Sequence, residues 1–132
     1  SKNIKKVFFE KKNFYTLEKT RYLHKDSNNK LFQKANYNNF QTTPSIEKKI
    51  LSFLNSNIKK YDIVIVNDFG HGLISKKIKD VIQKKSKFLT LNVQTNSANN
   101  GYNYVSLYKN ANYITTDEFN KQFRGWGLFG LV

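Results

Sequence analysis

Apolar positions along the chain change their spacing near residue 41. Before it, "TLEKTRYLH" (16–24) and "KLFQKANY" (30–37) mix β-branched and aromatic residues with polar ones in partial alternation. The pair is joined by the turn-forming "KDSNN" (25–29) and predicts a β-hairpin over 16–37 with one wet face. The short run "KVFF" (6–9) predicts a further strand. After residue 41 the spacing becomes helical: Ile46, Ile50, Leu51, Leu54 and Ile58 fall on one face, behind a Thr43 N-cap and Pro44 at the first helical position. "NSNIKK" closes that helix.

Four β-branched residues in "DIVIVN" (62–67) predict a strand buried on both faces, as in a parallel sheet between two helical layers. Ser75 then caps a second helix carrying Ile78, Val81 and Ile82, with Ile74 just before it. "KFLTLNV" (87–93) and "NYITT" (112–116) predict two more strands, separated by the polar stretch 94–104 and a short helical turn in "VSLYKNA". "DEFNKQF" begins a last helix, with Asp117 and Glu118 suited to the positive end of its dipole. From residue 45 the order helix, strand, helix, strand, turn, strand, helix implies an α/β fold with a parallel sheet and an N-terminal hairpin. The 132 residues are read as one domain, with a strand and hairpin region over 6–40 and an α/β core over 41–124. The tail "GWGLFGLV" combines helix-breaking glycines with apolar residues that favour burial. Ser1 opens the chain where Met would be expected and no signal-type apolar segment follows, so a piece of a longer chain is expected.

Composition narrows the classes. There is no cysteine, which excludes disulfides and thiolate metal sites and fits a reducing, cytoplasmic setting. No run approaches twenty apolar residues, so no membrane partner is expected. The net charge of +14 invites a nucleic-acid reading. It is carried almost wholly by lysine, however, and Arg21 and Arg124 are the only arginines. Arginine is the better residue for bidentate phosphate and base contacts, so nucleic acid is not the expected partner and the lysines are read as a solvated coat.

Candidate chemistry gathers where the predicted parallel strands end. Ligands of open α/β sheets bind outside the carboxyl ends of the strands. There the sequence offers Asn67 and Asp68, Asn92, and Thr115, Thr116, Asp117 and Glu118. Gly70 and Gly72 permit a sharp turn or a close ligand approach. Each residue also has a purely structural reading: Asp68 as a turn cap, Ser75 as an N-cap, Asp117 and Glu118 as first-turn acids, His71 as an ordinary loop residue. With His24 as the only other histidine, no zinc site is expected. Asp68-Phe69-Gly70 spells a protein-kinase triplet, but the glycine-rich loop and catalytic loop of those enzymes are absent from the sequence.

Taken in order, "YDIVIVNDFGHGLIS", "FLTLNVQTNSANNGYN" and "NANYITTDEFN" resemble the middle of a ribokinase-type (PfkB family) carbohydrate kinase, and "EKTRYLHKDSNNKLFQKANY" resembles the strand pair that precedes it in heptose-phosphate kinases. The nearest subgroup is the kinase half of ADP-heptose synthases and related sugar kinase–nucleotidyltransferase proteins. The resemblance covers roughly residues 6–123 and rests on order and spacing, not on one motif. It implies a three-layer ribokinase-like core and an ATP-dependent, Mg²⁺-assisted phosphoryl transfer to a sugar or sugar phosphate. It implies that Lys19, Arg21, Asp68 and Gly72 lie near the sugar substrate, and Asn92, Asp117 and Glu118 near the magnesium–phosphate region. Asn92 replaces an Asp common in that family, and Thr116-Asp117 replaces Pro-Asn. The family's G-A-G-D anion hole and base are not among these residues, so the chain alone is expected to be inactive. Two alternatives remain: an α/β binding module, with nucleic acid as its candidate ligand, and a non-catalytic relative that pairs as a homodimer through a hairpin face bearing Leu17, Leu23, Leu31 and Phe32.

Overall fold

A computed structural model describes residues 3–11, 14–36, 41–94 and 103–116. The chain divides into two compact units, Ser1–Phe40 and Gln41–Val132.

In the first unit, β1 (Glu18–Leu23) and β2 (Lys30–Asn36) pair antiparallel. His24 and Asn29 close the turn through a backbone hydrogen bond of 2.8 Å, and Asn28 takes the left-handed conformation there. A register shift at Tyr22/Leu23 leaves Leu31 as an extra residue. Tyr22 stacks on Phe32 at 4.3 Å, on the same side as Thr20 and Lys34. Arg21 and Gln33 pair on the opposite side, where Leu23 follows. The shift breaks the period of two, so the single apolar face expected on the hairpin does not form. Residues 6–9 are not a strand either: no described strand pairs with them and Phe8 is 74% exposed.

In the second unit, α1 (Pro44–Asn57) begins as its cap predicts, with the Thr43 hydroxyl accepting from the Ile46 N–H at 3.4 Å. It passes into a 3-10 turn over Ile58–Lys60, which buries Ile58. Strands β3 (Val64–Asp68), β4 (Leu89–Val93) and β5 (Tyr113–Thr116) form one parallel sheet in that order. Helix α2 (Lys76–Lys85) crosses from β3 to β4 and packs on α1.

The core lies on one face of this sheet. Val66, Leu89, Leu91 and Val93 are buried with Ile78 and Ile82 of α2, Ile46 and Ile50 of α1, and Val105 and Tyr108 of the segment before β5. Among the described residues no element covers the opposite face. Ile65 is 71% exposed and Tyr113 52%, so β3 is not buried on both faces as its run of β-branched residues suggests. Among the described residues the helices cover one side of the sheet; the helix expected from Asp117 onward lies outside the described residues.

Two local devices fix the chain between β3 and α2. The Ser75 hydroxyl accepts from the Ile78 N–H at 3.3 Å and donates to Glu47 Oε1 at 2.6 Å, tying the start of α2 to the first turn of α1. Lys77 adds an ion pair to the same carboxylate. The Ser75 bond, then the Lys77 contact, hold the Glu47 carboxyl below its ordinary range. A depressed carboxylate contributes stability above its unfolded pKa and loses it as pH falls through the folded value. Ser75→Ala is therefore expected to cost about 1–2 kcal/mol at neutral pH in urea denaturation, through the lost cap. It is also expected to flatten the loss of stability on the acid side of pH 4.5.

Candidate functional site

The parallel register aligns the three strand ends level with one another. Asn67 lies beside Asn92, and Asn92 beside Thr115; one step on, Asp68 lies beside Val93 and Val93 beside Thr116. Side chains alternate across a strand, so these two rows face opposite sides of the sheet. The first row, Asn67–Asn92–Thr115, is on the open face. The second, Asp68–Val93–Thr116, is on the face covered by α2.

The covered row is closed chemistry. Asp68 is 5% exposed, and three donors reach its carboxylate. Oδ1 accepts from the Gly70 N–H at 3.0 Å, and Oδ2 accepts from the Tyr108 hydroxyl at 2.9 Å and from the Lys79 ammonium at 3.2 Å. Lys79 also lies 4.9 Å from the centre of the Tyr108 ring. Burial, and after it the charge of Asp68, push the Tyr108 hydroxyl far above its ordinary pKa, so it stays a donor. The Asp68 carbonyl in turn accepts from the Gln94 N–H at 3.1 Å and the buried Asn103 amide at 2.9 Å. A carboxylate with these partners holds a loop in place; it is not placed to take a proton from a ligand at the rim.

The loop it holds is the glycine segment after β3. Gly70 and Gly72 both have positive φ, 69° and 83°, where a Cβ would clash. Thr42, next to the α1 cap, donates its N–H to the Gly72 carbonyl at 3.2 Å, and its hydroxyl lies within 2.8 Å of the same oxygen and 2.7 Å of that of Leu73. Gly72 is thus pinned to the start of α1.

The open row is unfinished chemistry. Thr115 donates to the Leu91 carbonyl at 3.3 Å, but the side-chain amides of Asn67 and Asn92 have no partner among the described residues. Beneath them, Ile63, Ile65, Phe88 and Tyr113 expose apolar surface. Neutral amides above an apolar floor suit recognition of hydroxyls or ring edges better than capture of a bare ion. No group of three or more His, Asp or Glu is gathered among the described residues.

Of the residues singled out from the sequence, Asp68, Gly72 and Asn92 thus lie at one strand-end rim, with Asp68 and Asn92 on opposite faces. Lys19 and Arg21 belong to β1 in the first unit, both exposed, with Arg21 donating to Gln33 at 3.2 Å. Asp117 and Glu118 lie outside the described residues. Lys79, Tyr108 and Asn103 were not foreseen. The available signal was an aspartate ending a strand, which needs a counter-charge from the next helix. No family model, curated protein or solved structure matches this chain.

Proposed function

We propose that this chain is the central part of an ATP-dependent sugar or sugar-phosphate kinase of ribokinase type, supplying strand-end loops to its substrate and nucleotide cleft. The observation that carries the reading is the row Asn67–Asn92–Thr115: three consecutive parallel strands end level, with two unpartnered amides on the side no described helix covers. The reading also draws on the resemblance of the sequence segments, in their order, to that family.

In this reading the amides of Asn67 and Asn92 orient hydroxyl or phosphate oxygens. Asp68 works at one remove, keeping the glycine loop in shape. Mg²⁺ in phosphoryl transfer is held mainly by phosphate oxygens and one or two carboxylates, and the resemblance puts Asp117 and Glu118 near that region, where they would help to hold it. When bound, it offsets charge on the transferring phosphoryl group. The chain on its own lacks the glycine-rich anion hole and base, so turnover belongs to the longer polypeptide.

The test is Mg²⁺-dependent ATP consumption by the full reading frame over a panel of sugars and sugar phosphates. Turnover is expected with at least one of them, and Asn92→Ala is expected to lower kcat/KM by roughly 10–100-fold through lost positioning, without changing the thermal midpoint. Absence of turnover across the panel, or a reading frame with no glycine-rich segment ending in aspartate, rejects the proposal.

A further inference from the structure

On the opposite side from the open row, α2 and the segment before β5 border a half-open groove of about 550 Å³. Its walls are fixed to each other: Gln83 Oε1 accepts from the backbone N–H groups of Lys109 and Asn110 at 2.6 and 3.0 Å. Four lysines line it, Lys76, Lys79, Lys84 and Lys109, against one acid, Asp80.

These lysines differ from their neighbours in sequence. Lys77, Lys85 and Lys87 each reach a side-chain oxygen, on Glu47, Asn55 and Asp62. The ammonium groups of Lys76, Lys84 and Lys109 have no partner among the described residues. Lys79 forms the enclosed part of the wall, its charge balanced by Asp68 from behind. Like charges lining one concave surface raise a positive potential there that an anion relieves. Leu107, 48% exposed on the same wall, adds apolar contact surface. The volume is that of a small-molecule site.

We infer that this groove binds a small phosphorylated molecule through Lys76, Lys84 and Lys109. The site is independent of the strand-end rim and does not rest on the kinase reading.

Inorganic tripolyphosphate is the probe, titrated into the ¹⁵N-labelled chain at low salt. Saturable amide shifts are expected to concentrate over residues 76–84 and 105–110. Lys84→Glu with Lys109→Glu is expected to weaken binding by roughly tenfold or more. Lys48→Glu with Lys49→Glu is the control: it makes the same charge change on exposed positions of α1 outside the groove, and is expected to leave affinity within about twofold. All four positions are exposed, so both variants should fold, as circular dichroism checks. The inference is overturned by undetectable binding, by shifts scattered over lysines of both units, or by equal weakening in the two variants. It is equally overturned if a single-stranded RNA binds more tightly than tripolyphosphate and is lost to the same extent in both, since the lysines then form one extended surface.

Discussion

Replacing Asp68 by alanine is expected to cost about 3–5 kcal/mol, measured as a shift of the urea midpoint at constant m-value. Three donors converge on this carboxylate, and none has another described acceptor at hand. Removing it leaves the Lys79 side chain, only 11% exposed, without its counter-charge, and strands the Tyr108 hydroxyl and the Gly70 N–H. The penalty comes from uncompensated burial more than from the lost attraction. Asp68→Asn separates the two: its amide oxygen still accepts from one donor, while the ammonium stays unpaired, so a smaller loss of about 2–3 kcal/mol is expected. A cost below about 1 kcal/mol for Asp68→Ala would mean that Lys79 reaches solvent when released, and that the cluster does not organise the loop.

Local signals were the readable part of this fold. Thr43 with Pro44, and Ser75, mark helix starts because an N-cap needs only a hydroxyl and a free N–H three residues on; both caps are present. The β-branched run at 63–66 and the apolar segment 87–93 marked β3 and β4 in the same local way. What failed depended on partners. "KVFF" has strand composition but no strand beside it. Ile63 and Ile65 read as core, yet whether a second layer covers them is not written in four consecutive residues. The hairpin's apolar face was lost to one extra residue at Leu31, which no propensity argument places.

The strand-end rim was legible to within one residue, and in a strand one residue decides which face a side chain takes. The strand ends of Asn67–Asp68 and Asn92 were found correctly, but a step of one along a strand reverses the face. Asp68, the more conspicuous group, turns inward to Lys79, and the less conspicuous Asn67 shares the open face with Asn92. Lys79 itself was hidden by composition. In a chain with 23 lysines and arginines, the buried one differs from the rest only in where Asp68 lies.

Tyr108 is the second large expectation. Its side chain is fully enclosed, although the sequence placed it only in a short helical turn. Tyr108→Ala removes a buried ring and is expected to cost about 3–5 kcal/mol. Tyr108→Phe keeps the ring, leaves Asp68 with Lys79 and Gly70, and is expected to cost about 1–3 kcal/mol, the share of a hydrogen bond to a charged acceptor. Alkaline pH separates the hydroxyl independently. Its folded pKa is raised above the ordinary 10.0 by burial and by Asp68. The unfolded chain therefore loses this proton first, so the stabilisation is complete below pH 10 and shrinks as pH rises beyond it. In the native protein the Tyr108 phenol should add its tyrosinate absorbance only when the chain unfolds. Tyr108→Phe should remove that lag and weaken the alkaline decline in stability. If native wild type and Tyr108→Phe differed by one tyrosinate already near pH 10, the hydroxyl would be solvent-accessible and the Asp68 cluster would lose its second donor.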